Sequence, residues 1–197
     1  PHLPTLSSPP GFPHYLGPEA CQPAGATCPE VPAGAVLVSD GDALLEAIHR
    51  RVEVVALIAP SIDVSLAVIA GPLRLIGCNN TLRTEGLLVA SGTVTIESLR
   101  IEGGSTAIAI GPAGRAVLRD VWIDRGGTNG IYSAGELVTS SVAIEGRTTS
   151  FIITAGRSWI DRVSAREAGD HAIHCHWDPQ FSEVPVVSVT DAVFTDT

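Results

Sequence analysis

The sequence predicts an all-β fold, a right-handed single-stranded parallel β-helix of stacked coils preceded by one N-terminal capping helix. Three observations predict it. Apolar runs recur at a spacing of about 22 residues, in the range of solenoid repeats. The runs are short, β-branched and separated by Gly, Pro, Ser and Asn, as strands between corners are. Only 5% of residues are aromatic while 45% are hydrophobic, so the core must be built from Val, Ile, Leu and Ala, which suits a narrow coil.

Charge and hydropathy exclude two classes of partner. The net charge is -9 and every basic residue is an Arg, so no Lys-rich phosphate-binding surface is present and nucleic acid is not expected. No apolar run approaches the roughly 18 residues of a membrane span. The chain does not begin with Met, which points to upstream residues that were removed or not included.

Residues 1–35 hold most of the prolines and read as an extended arm. Cys21 and Cys28 lie close together within it, flanked by Pro and Gly, and are expected to form a small disulfide loop. The domain proper is expected over 36–197. Its first element is an amphipathic helix at about 40–51, with Ser39 and Asp42 in capping-box spacing and a stripe of Leu44, Leu45 and Ile48. Such a helix covers the open end of a stacked sheet.

Coils follow from about residue 52. Segments starting at Pro72, Thr93, Arg115, Leu137 and Ser158 superimpose, and a sixth beginning at Val186 is incomplete. The aligned positions form inward columns: Ile96, Leu118 and Ile160; then Leu99, Val121, Val142 and Val163; then Ile101, Ile123, Ile144 and Ala165. A later strand run aligns Ile108, Ile131, Phe151 and Ile173, and two residues on Ile110, Ser133, Ile153 and Cys175. Gly103-Gly104 and Gly126-Gly127 mark the bends between runs.

The entry GDALLEAI, the run VVALIAP, then PLRLIGCNNTL and the repeated xVxIxG coils resemble the right-handed parallel β-helix superfamily that includes pectate lyases and polygalacturonases. The resemblance covers about Val36 to Thr197 and is of fold grade. It implies the architecture and a bias towards polysaccharides, and with the chirality rule for parallel crossovers it sets the right-handed coil.

On the same ruler Cys78 falls in the Leu99 column and Cys175 in the Ile153 column, both inward and rungs apart, so both read as buried small hydrophobes. A Cys21–Cys28 bridge then places the chain in an oxidising, extracytoplasmic compartment: secreted, periplasmic or on the cell surface.

Outward positions carry the candidate chemistry. Glu102, Asp124 and Glu145 stack on successive rungs and end in Arg166, a ladder that suits Ca²⁺ or a solvated acidic stripe. The superfamily's lyases use acidic residues for Ca²⁺ and an Arg to abstract a sugar proton, so the resemblance makes Arg166 a catalytic candidate. The string GDHAI resembles the GDDxI segment of polygalacturonases, with Asp170 matching the first acid and His171 standing at the second. By alternation His174 and His176 project outward from one strand, as a transition-metal chelate or acid–base pair requires. Trp177 and Phe181, in an insertion before Val186, offer a sugar ring a flat apolar partner.

The function that follows is a polysaccharide- or cell-surface-glycan-interacting domain, a lyase or hydrolase relative. The alternative is a non-catalytic structural or adhesive module that meets a protein partner, or a second copy, through its last coil.

Overall fold

The computed structural model describes residues 28–124 and 126–195. Apart from one helix the ordered elements are strands, and every strand pairing is parallel, in a solenoid of about seven turns. This is the parallel β-helix that the repeat predicts.

Each coil has three sides. The first is formed by β1 (Val36–Val38), β2 (Val54–Leu57), the beginning of β5 (Leu73–Thr84), the middle of β6 (Leu87–Glu102) and of β7 (Thr106–Ile123), the beginnings of β9 (Glu136–Glu145) and β11 (Arg157–Arg166), and β13 (Val186–Thr190). The second runs from β3 (Ser61–Val64) through the ends of β5, β6, β7, β9 and β11 to β14 (Val193–Thr195). The third runs from β4 (Ala67–Ala70) through the beginnings of β6 and β7 to β8 (Asn129–Ser133), β10 (Thr149–Ile153) and β12 (His171–Cys175).

The register reproduces the inward columns. Leu99 pairs with Val121, Val142 and Val163 follow in turn, and Ile108, Ile131, Phe151 and Ile173 form one row on the third side. Thr139 fills the gap between Leu118 and Ile160 and is buried with them. Two inward residues three apart, such as Ile96 and Leu99, break the two-residue alternation of a strand. From the coil of β5 onward the chain resolves this with one left-handed residue at the first corner: Asn79, Ser98, Asp120, Ser141, Arg162 and Asp191 have φ of 59, 51, 52, 63, 49 and 48°.

Helix α1 (Gly41–His49) packs on β1, β3 and β4 and buries Leu44 and Ala47. Its N-cap is Asp40, whose Oδ1 accepts from the Ala43 N–H at 2.8 Å, in place of the expected Ser39. Ser39 instead donates to Asp40 Oδ2, so the carboxylate is the group that meets the helix N-terminus.

The cysteines depart from expectation. Cys28 is bonded to Cys78 across 50 residues, with a Cα–Cα distance of 4.7 Å, in place of a Cys21–Cys28 loop; Cys21 and the arm to residue 27 lie outside the described residues. Nor does Cys78 occupy the Leu99 column. Ile76 pairs with Glu97 and Asn80 with Leu99, so Gly77, Cys78 and Asn79 together oppose the single residue Ser98, and the extra length pushes Cys78 outward. Asn80 takes the inward place and secures the bulge, donating to the Ala59 carbonyl at 2.6 Å and accepting from the Cys78 N–H at 2.5 Å. Cys175 does lie in the Ile153 column, but on the last described rung of its side, so its thiol is exposed instead of buried.

Candidate functional site

A concave surface runs along the corner between the third and first sides, where the glycines accumulate. Gly92, Gly114, Gly135 and Gly156 stack there on consecutive coils. A Cβ built on Gly135 would stand 2.3 Å from both the Gly111 and Gly114 carbonyl oxygens, and one on Gly156 would lie 2.2 Å from the Gly135 oxygen. Side chains are therefore excluded from the floor, which sinks below its surroundings into a groove of about 770 Å³.

Thr93, Arg115, Glu136 and Arg157 are consecutive residues of one outward column along the groove. Arg115 and Glu136 pair at 3.2 Å, and Pro112 and Ala113 form part of the wall. The insertion expected in the last coil is present: residues 176–185 connect β12 to β13 and bring Glu183 and Val184 to the end of the groove. Trp159 lies two residues beyond Arg157 on the same outward side of β11 and is 41% exposed, next to Val138 on the neighbouring rung.

The expected site residues separate into two groups, neither of which lines this groove. On the second side, Glu102 meets both Arg83 at 3.1 Å and Arg100 at 3.0 Å, and Arg100 also pairs with Asp124. The Arg100 guanidinium lies 4.2 Å over the Trp122 ring. The carboxylate ladder is thus interleaved with guanidinium groups; Glu145 is buried, and Arg166 pairs alongside it in the register.

On the third side, β12 carries His171 and His174, and His176 follows its last residue. Asp170 Oδ2 lies 2.9 Å from His171 Nδ1. The His171 and His174 ring centroids are 4.9 Å apart, and those of His174 and His176 4.8 Å. Trp177 is exposed and donates its indole N–H to the Phe181 carbonyl at 3.3 Å; Phe181 is half-buried, so only the first ring is presented openly. Among the described residues no three His, Cys, Asp or Glu side chains converge on one cation position.

Sequence reasoning missed two further polar groups. Glu97, buried on the outward side of β6, accepts from Arg74 at 2.7 and 3.0 Å on the preceding rung and from Arg119 at 2.9 Å on the next. Further along that column the Thr190 hydroxyl donates to Asp161 at 2.8 Å and, with Arg162, holds its carboxyl below the usual range. Arg147 is buried at a corner between the second and third sides, where its guanidinium donates to the carbonyls of Gly103 and Gly104 at 2.8 Å and of Asp124 at 3.0 Å. Burial pushes its pKa down, and the Asp124 charge opposes that shift. Its signal in the sequence is an Arg two places after Glu145, where Gly104 stands two places after Glu102.

No protein-family model matches the chain, and neither a curated protein nor a solved structure matches it significantly.

Proposed function

We propose that this chain is an extracytoplasmic β-helix domain that binds a linear polysaccharide along its glycine-floored groove. The observation that carries the reading is the groove's continuity over consecutive coils. From Thr93 to Val186 it crosses five rungs, about 19 Å at the spacing of paired strands, which accommodates several sugar rings of an extended chain. Its walls supply what hydroxyl-rich ligands need: charged donors and acceptors of both signs in Arg115, Glu136, Arg157 and Glu183, with the exposed Trp159 ring beside them for an apolar sugar face. The Cys28–Cys78 bridge supports an oxidising compartment. The proposal is for binding; Asp170, His171 and Arg166 lie outside the groove lining.

The test is calorimetric titration of the folded chain with a panel of linear polysaccharides, with Ala113→Trp and Trp159→Ala as variants. Ala113 is exposed in the wall, so an indole there obstructs the groove without entering the core. Binding by the parent chain that falls at least tenfold in both variants is the expected result. A panel with no binder, or a ligand held equally well by Ala113→Trp, would overturn the reading.

A second reading, a structural module that self-associates, is favoured by one observation. The last described rungs expose apolar side chains, Val186 at 59%, Val193 at 55% and Val189 at 42%. Light scattering in solution distinguishes it: a concentration-dependent dimer abolished by Val193→Glu supports assembly, and a monomer at all concentrations removes it.

A further inference from the structure

We propose that His171, His174 and His176 form a binding site for a divalent transition metal of the zinc, copper and nickel group. The proposal does not depend on polysaccharide binding, since these residues stand on the third side of the coil and do not line the groove.

Strand geometry supplies the first two ligands. β12 pairs with β10 so that Ile173 and Cys175 continue the inward rows behind Phe151 and Ile153, which turns His174 outward beside Ile152. His176 follows two residues later with the same parity, and its ring meets that of His174 edge-on at 4.8 Å. The third ligand is His171, the first residue of β12, which has the parity of Ile173 and not of His174 but whose exposed ring reaches to 4.9 Å from that of His174. Metal–nitrogen bonds of about 2.0–2.1 Å at a tetrahedral ion place the centroids of two bound imidazoles about 5 Å apart. Both contacts already have that spacing.

The second sphere is also in place. Asp170 sits 2.9 Å from Nδ1 of His171, so that nitrogen's proton is held by a carboxylate and Nε2 keeps its lone pair for a metal. This arrangement fixes the tautomer and the ring orientation of the ligand. The rings form a chain instead of pointing at a common centre, so binding requires them to turn; His171 and His176 are exposed, and His174 is half-buried. An all-imidazole set favours zinc, copper and nickel over calcium and magnesium, which require oxygen ligands. Three protein nitrogens leave a fourth position to water.

The experiment is titration of the disulfide-intact chain, in a Cys21→Ser/Cys175→Ser background that removes both cysteines outside the Cys28–Cys78 bridge, with Zn²⁺, Ni²⁺ and Co²⁺. One equivalent bound, with Mg²⁺ and Ca²⁺ inert, is expected. His174→Ala and His176→Ala should each weaken Zn²⁺ binding at least tenfold, and Asp170→Asn about tenfold or more through loss of the second-sphere contact. Unchanged far-UV dichroism and melting of the metal-free variants would confirm that the losses are local. Bound Co²⁺ should show ligand-field bands without a thiolate charge-transfer band. No Zn²⁺ binding at all, equal binding by the His174→Ala/His176→Ala double variant, or loss of binding in a His2→Ala/His14→Ala or His49→Ala variant would overturn the assignment.

Discussion

Arg147 is the largest side chain buried completely among the described residues, and it sits where an unpaired charge would be intolerable. Removing a guanidinium from water costs several kcal/mol, which only a full set of acceptors offsets. The offset here is three corner carbonyls, from Gly103, Gly104 and Asp124, on two preceding coils, with a longer contact to the Asn129 carbonyl at 3.4 Å. Arg147→Met keeps the volume but leaves those oxygens without a donor, at about 1–3 kcal/mol each. Urea denaturation should therefore show a loss of about 3–5 kcal/mol. Arg147→Lys should recover less than half of it, because an ammonium is a point donor and cannot span the set. A loss below about 1 kcal/mol would mean that water replaces the side chain. At this scale the sequence was least legible: EGRTTS reads as an ordinary polar loop, and only comparison with the glycine of an earlier coil marks the arginine as unusual. The cysteines failed for a related reason. A period of about 22 residues places a side chain to within one or two positions, and two extra residues sufficed to move Cys78 from the core to a disulfide.

Elements were read more securely, because each inward column averages over many coils. The apolar rows of all three sides lie where the periodicity puts them, since a one-residue slip would turn every buried side chain of a strand towards water. The left-handed corner was implied by the same columns, as two inward residues three apart cannot both belong to one regular strand. The groove was not. Glycines mark corners in many folds, and their stacking emerges only when successive coils are set in register. Gly135 tests that stacking. Its backbone does not need a left-handed φ, yet a methyl group would meet two carbonyl oxygens at 2.3 Å, so a substitution forces the backbones of adjacent coils apart. Gly135→Ala should cost about 1–3 kcal/mol or more, as overpacking does, with a clear fall in melting temperature. A neutral substitution would show that the corner is loose, and with it the groove floor.

For the molecule as a whole, coils that touch only their neighbours make stability a sum along the axis, weakest where a coil has one neighbour. The two ends differ. At the first, α1 covers the opening coils, and the Cys28–Cys78 bridge closes a 50-residue loop, which removes denatured-state entropy on the order of 4 kcal/mol. At the last described rungs Val189 and Phe194 continue the buried columns of Ile160 and Ala165 but are exposed. Hydrogen exchange should map this gradient. Amides of β6, β7 and β9, paired on both flanks, should exchange slowest, and those of β12, β13 and β14 fastest. Reducing the disulfide should accelerate exchange in β1, β2 and α1 while leaving β9 and β11 unchanged, because the link acts on the first coils and coupling decays from rung to rung. Uniform protection along the axis, lost everywhere at once on reduction, would contradict this account and make the stack one cooperative unit.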